Sequence, residues 1–286
     1  VAEIRHQLST SNVTLEISEL SGGPEIVAAR AAEVLRRLGL DPVQVVPVNV
    51  GESGGPEAAA RTARYEALDA AAAAHGARFV LLGHTLDDQA ETVLLGLGRG
   101  SGPKSLAGMS TVTGSYLRPL LAIRRATTEA FCRDSSLDYW TDPQNSDPRF
   151  TRVKLRHEVL PLLETALGGG VAEALARTAN LLRADATALD QLAEQLFAAE
   201  AQVAATSVTL DCEALAKHPS ALSSRLIKLA IETVGGQTSA TAIESVTALV
   251  LDWHGQKPLT LSGTRVERTG RSLVFRTTKT LKTGAC

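Results

Sequence analysis

Aromatic residues make up 3% of the 286 positions, and methionine occurs once. Cysteine occurs three times, at Cys132, Cys212 and Cys286, with no C-x-x-C pair. Such an odd, scattered count excludes a disulfide framework, an iron–sulfur cluster or a structural zinc site, and it fits a reducing compartment. The sequence has no run of ~18 apolar residues that would read as a membrane-spanning helix, and no basic-then-apolar leader. The expected setting is the cytoplasm, with no membrane partner. What is present is ordinary for a chain that buries a sizeable core: 44% hydrophobic and 21% charged residues, enough for one or two domains.

The formal charge of -2 conceals a polarised chain. Segments 1–117, 118–156, 157–256 and 257–286 carry -4, +3, -7 and +6. Two basic islands therefore leave room for a polyanionic partner, although either could be merely solvated surface.

In the first half, strand-like and helix-like stretches alternate. Val13 to Ile17, Val43 to Val50 and Arg78 to Leu82 read as strands; Glu25 to Leu38, Pro56 to His75 and Asp87 to Leu97 read as helices. This predicts an α/β class with a parallel, Rossmann-like sheet covered on both faces. Beyond residue 120, helices are expected at 124–137, 150–167, 171–197, 219–234 and 239–252, with short strands from Pro258 to Phe275. Gly168-Gly169-Gly170 marks a candidate boundary between a catalytic domain (1–168) and a smaller, mainly helical domain with a β tail (169–286).

Four clusters could carry chemistry. Ser21-Gly22-Gly23-Pro24 lies between a strand and a helix, where free N–H groups cradle phosphate, though glycine turns also join strands to helices everywhere. In GHTLDDQAET (83–92), His84 and the acids Asp87, Asp88 and Glu91 follow the carboxyl end of a strand, where open α/β sheets bind ligands. Asp87 and Glu91, at i and i+4, could hold Mg²⁺ or orient an amine. Thr85 with Asp88 equally matches a capping box. Arg99, beside Gly100 and Gly102, could fold over a phosphate or simply end a helix favourably. Arg149, Arg152 and Arg156 recur at i, i+3 and i+7 with no acid between them, one helix face suited to phosphate backbone or to solvent.

In this order, SGGP (21–24), AARTARYEAL (59–68), LLGHTLDDQAETVLLGLGRGSG (81–102), AGM (107–109), RPLL (118–121) and DPQNSDPRFTRVKLRHEVLPLL (142–163) resemble the tRNA(Ile)-lysidine synthetase family of N-type ATP pyrophosphatases. The resemblance implies that ATP adenylates the C2 oxygen of the wobble cytidine in an isoleucine tRNA with a CAU anticodon. The ε-amine of free L-lysine then displaces AMP. It also implies ATP held by Ser21 to Pro24 with Mg²⁺, catalysis by Asp87, Asp88, His84, Glu91 and Arg99, and tRNA phosphate on Arg149, Arg152 and Arg156. The C-terminal basic island would meet tRNA as well, and a homodimer stays open. Glu25-Ile26 stands where the family's phosphate loop has Asp-Ser, and a following strand–helix unit is absent. A discontinuity between Pro24 and Glu25 is therefore expected. The rival readings are a non-catalytic tRNA-binding protein on a decayed fold, and another tRNA-modifying ATP pyrophosphatase. Thiolating members of that superfamily need paired cysteines, which this chain lacks.

Overall fold

The computed structural model describes residues 24–51, 56–100, 102–137, 139 and 143–278. These fall into two compact units that divide between Leu182 and Arg183. The expected strand at 13–17 and the Ser21-Gly22-Gly23 turn lie outside the described residues.

In the first unit, α1 (Pro24–Arg37) starts on a proline, whose fixed φ suits a first helical turn. It runs on through Glu25 to Arg37. Residues 43–50 do not form the expected strand. Pro47 removes a ladder donor mid-run, and Val45 is exposed. After α2 (Pro56–Ala74) comes β1 (Val80–Leu81), shorter than expected. Next are α3 (Leu86–Gly98), α4 (Pro103–Leu106), β2 (Val112–Thr113), β3 (Tyr116–Leu117) and α5 (Arg125–Asp134). The small sheet has the order β1-β3-β2, with β1 parallel and β2 antiparallel to β3. The described sheet is therefore mixed, rather than all-parallel.

The expected helix at 150–167 is three pieces: α6 (Thr151–Lys154), a π-turn over Leu155–Val159, and α7 (Leu160–Ala166). Gly168, Gly169 and Gly170 then adopt φ of 82°, 89° and 74°, a run that only glycine sustains. The Glu164 carboxylate reaches across this turn to the N–H groups of Val171 and Ala172, both at 3.0 Å, and caps α8 (Val171–Glu200). The glycine triplet is thus a corner before α8, and the two units divide later, inside that helix. Leu86 and Ala90 of α3 pack with Leu160, Val171, Ala172 and Ala176 as this unit's core.

The second unit keeps the expected helices, but its sheet is larger than the expected β tail. A five-stranded antiparallel sheet of order β4-β5-β8-β7-β6 organises it. Its strands are β4 (Gln202–Ala204), β5 (Ser207–Asp211), β6 (Leu259–Leu261), β7 (Thr264–Thr269) and β8 (Ser272–Thr277), and only the last three were expected. Val208, Leu210, Val266, Leu273 and Phe275 alternate onto one face. There they meet α9 (Cys212–Lys217), α10 (Ser220–Thr233) and α11 (Ala240–Leu251) through Leu215, Leu226, Ile227, Ile231, Val246 and Leu249.

Candidate active site

The chain leaves the parallel pair through Gly83 and His84, and Thr85 opens α3. Asp88 caps that helix: the Thr85 N–H and hydroxyl both donate to Asp88 Oδ2, at 2.7 and 2.8 Å. Burial alone would raise the Asp88 carboxyl, but the Thr85 bonds and the nearby Arg125 and Arg156 hold it below the usual carboxylate range. Asp87 serves another helix. Its Oδ2 accepts the Arg125 N–H at 2.7 Å, one of the N–H groups that α5 leaves without an intrahelical partner. Its Oδ1 accepts Arg124 Nε at 3.1 Å. Arg124 continues to Glu173 Oε1 at 2.7 Å, tying α3 and α5 to α8.

Glu91 is fully buried and forks with Arg156, whose Nε lies 2.8 Å from Oε1 and whose Nη2 lies 3.2 Å from Oε2. Arg125 lies 3.5 Å away and Arg152 3.9 Å. Arg125 also binds Asp88 Oδ1 at 2.7 Å. Three carboxylates of one helix are thus knitted to four arginines. Arg152 and Arg156, four residues apart, share a helix face, and both aim inward at Glu91. Arg149 precedes the helix, is 85% exposed at its side chain, and pairs with Asp147. The three arginines expected on one face therefore separate. Arg156 and Arg152 turn to the acids, and Arg149 turns to solvent.

This arrangement does not fit magnesium on Asp87 and Glu91. Guanidinium groups hold both carboxylates, and no group of three or more His, Cys, Asp or Glu suited to a metal ion occurs among the described residues.

The Arg99 side chain is exposed at the end of α3 and pairs with no acid among the described residues. Gly100 and Gly102 follow with φ of 62° and 77°. Of the phosphate turn, Pro24 begins α1, while Ser21, Gly22 and Gly23 are outside the described residues. His84 is half-buried and its Nδ1 has no partner. Burial is the main cause that lowers its pKa; Asp88 opposes, and Arg118, Arg61 and Arg152 assist.

Arg124 and Arg125 had not been singled out, nor had Gln89. The Gln89 amide, 1% exposed, donates to Met109 O at 2.9 Å and accepts the Met109 N–H at 2.7 Å. Gly108, at φ 57°, lets that loop close, since a Cβ there would lie 2.7 Å from Gln89 Oε1. In the tail, Arg265 and Arg276 are exposed cross-strand partners on β7 and β8. Arg268 instead covers the Trp253 ring at 5.2 Å and binds the carbonyl of Leu249. No single described helix is long and apolar enough to cross a membrane.

The PP-loop domain family matches residues 25–163. The tRNA(Ile)-lysidine synthase of Leifsonia xyli is 54% identical over 258 residues, covering 90% of this chain and 78% of that protein. The enzyme of the same name from Streptomyces coelicolor is 52% identical over 264 residues, covering 90% and 74%. That of Mycobacterium tuberculosis is 48% identical over 247 residues, covering 86% and 75%. In fold, the chain is similar to the U34-tRNA thiolase NcsA of Methanococcus maripaludis, solved with its [4Fe-4S] cluster. The TM-score is 0.50 and the identity 18%, over 63% of this chain and 66% of that one.

Proposed function

Because the chain belongs to the tRNA(Ile)-lysidine synthase family, we propose the following account of how it works. It is a ligase that forms lysidine on tRNA(Ile) at the expense of ATP. The C2 oxygen of the wobble cytidine, in a CAU anticodon, attacks the α-phosphorus of ATP and pyrophosphate leaves. The ε-amine of lysine then adds at C2, loses its proton, and AMP departs with the oxygen. Magnesium accompanies ATP as its counter-ion and has no seat on Asp87 and Glu91.

The observation that carries this reading is the acid cluster on α3, at the carboxyl end of β1, where α/β sheets take their ligands. A free lysine amine is protonated near neutrality and needs a carboxylate to hold it and draw off a proton. Asp88 is committed to Thr85 and held anionic, a poor base, and Glu91 is sealed against Arg156. Asp87 is held as well, but its guanidinium partner Arg124 is more exposed, at 37%, than the Arg125 and Arg156 that hold the other two acids, so we assign the lysine amine to Asp87, with Glu91 and Asp88 as the anionic field around it. His84 and Arg99 are assigned to nucleotide phosphate, Ser21 to Pro24 to the pyrophosphate side, and Arg149, Arg265 and Arg276 to tRNA phosphate. Arg152 and Arg156 act through the acids they hold. We place the enzyme in the cytoplasm.

The test is Asp87→Asn in the full chain, with labelled lysine, ATP and a tRNA(Ile) transcript. Lysine transfer should fall by about a hundredfold or more, the scale of general-base removal, while tRNA affinity stays close to wild type. Near-normal transfer with only a lower melting temperature would reduce Asp87 to the cap of α5.

A further inference from the structure

Arg118 is 6% exposed, yet no carboxylate faces it among the described residues. Its Nη1 donates to the Ser110 carbonyl at 2.8 Å and to the Thr113 hydroxyl at 3.2 Å, while its buried Nε has no acceptor. A cation held this deep without an anion is costly, and neutral oxygens compensate only in part. The half-buried arginines that line the acids of α3 each have one: Arg124 has Asp87, Arg125 has Asp88, and Arg156 has Glu91.

Its position matters as much as its burial. Leu117 pairs with Leu81 in the parallel ladder, and the Leu82 N–H donates to the Leu117 carbonyl at 2.8 Å. Arg118 and His84 therefore leave the carboxyl ends of two adjacent parallel strands, where such sheets bind ligands. His84 Nδ1 is likewise buried and unpartnered. An aromatic bridge brings a third cation to the same strand. The Arg61 guanidinium lies 4.8 Å over the Tyr65 ring and donates to its hydroxyl at 3.2 Å. Tyr65 packs at 4.9 Å on Tyr116, two residues before Arg118. Both arginines act electrostatically on His84, against the larger opposing influence of Asp88.

We propose that Arg118, with Arg61 and His84, forms an oxyanion site that receives a substrate phosphate. A tetrahedral phosphate offers the several acceptors that the Arg118 Nε and a second guanidinium require, with the fork geometry that arginine favours. The site rests on the reading of the chain as an ATP-dependent tRNA-modifying enzyme. That reading supplies two sources of the same chemistry, the phosphates of ATP and the phosphodiester beside the target cytidine.

The test compares Arg118→Met, Arg118→Lys and Arg61→Met in the full chain. Binding of ATP is measured by calorimetry and binding of a tRNA(Ile) transcript at fixed salt. Arg118→Met should weaken one of the two by about tenfold or more, the worth of a charged hydrogen-bonded contact. A loss confined to ATP assigns the nucleotide phosphate, and a loss confined to tRNA assigns the phosphodiester. Arg118→Lys should recover part of the affinity. If Arg118→Met fails to melt cooperatively, Arg61→Met, on an exposed residue, should still weaken the same ligand, by about threefold. Unchanged affinity for both ligands, in every variant that folds, overturns the site. A wild-type chain that binds ATP through Arg118 but forms no lysidine would sink the reaction and leave the site standing.

Discussion

His84 carries a pH signature that follows from its burial. Desolvation is the largest cause that lowers its pKa from 6.5, with Arg118, Arg61 and Arg152 adding to it against Asp88. The unfolded chain therefore takes up a proton that the folded chain refuses. The stability this withholds is fully present above pH 6.5 and is lost as pH falls below it. Melting temperature should drop on acidification below 6.5, and the drop should be smaller in His84→Gln. Equal pH slopes in the two proteins would show that His84 does not sense its burial. At this scale the sequence announced the Thr85–Asp88 cap, because both partners lie within one helical turn. It did not announce that Arg124 and Arg125 would take Asp87, or that Gln89 would clamp Met109. Those partners are distant in sequence, and only the topology brings them together.

The segment from Phe150 to Ala166 shows where periodicity stops being informative. The arginine spacing was read on one helix, but Arg149 lies before its first residue, Thr151, and only Arg152 and Arg156 share a face. Arg156 becomes the partner of a buried carboxylate. Arg156→Ala should then destabilise the protein by about 3 kcal/mol or more, since it strands the Glu91 charge. The double variant Glu91→Gln, Arg156→Ala should recover part of that loss in a denaturant titration. Additive losses would mean the two side chains do not depend on each other. The β4–β5 hairpin was missed for a related reason. Ser207, Val208, Thr209, Leu210 and Asp211 alternate cleanly, but the stretch is five residues long and follows a 30-residue helix. The turn of the tail strands at Gly270, with φ 60°, was legible, whereas the 168–170 triplet, expected as a domain boundary, is a corner within the first unit.

Across the whole molecule, Arg149, Arg265 and Arg276 stand exposed at the surface, the first paired with Asp147 and the last with Glu267, while Arg124, Arg125 and Arg156 face the acids of α3. tRNA affinity should therefore depend on salt through the exposed set. Arg149→Ala and Arg265→Ala should each flatten the slope of log K against log salt by roughly one unit or less, and Arg156→Ala should leave it unchanged. The reverse pattern would return Arg156 to the tRNA surface. The α/β character and the chemistry-bearing block at 83–102 were readable because strand, acids and helix are contiguous. The antiparallel sheet of the second unit was not, since its strands come from both ends of a helical stretch. The central claim is that this chain catalyses adenylation of tRNA(Ile), rather than only binding it. Exchange of labelled pyrophosphate into ATP tests it most directly. Exchange should appear with tRNA(Ile), vanish without tRNA, and need no lysine. Tight tRNA binding with no exchange would contradict the claim and make the chain a non-catalytic tRNA-binding protein.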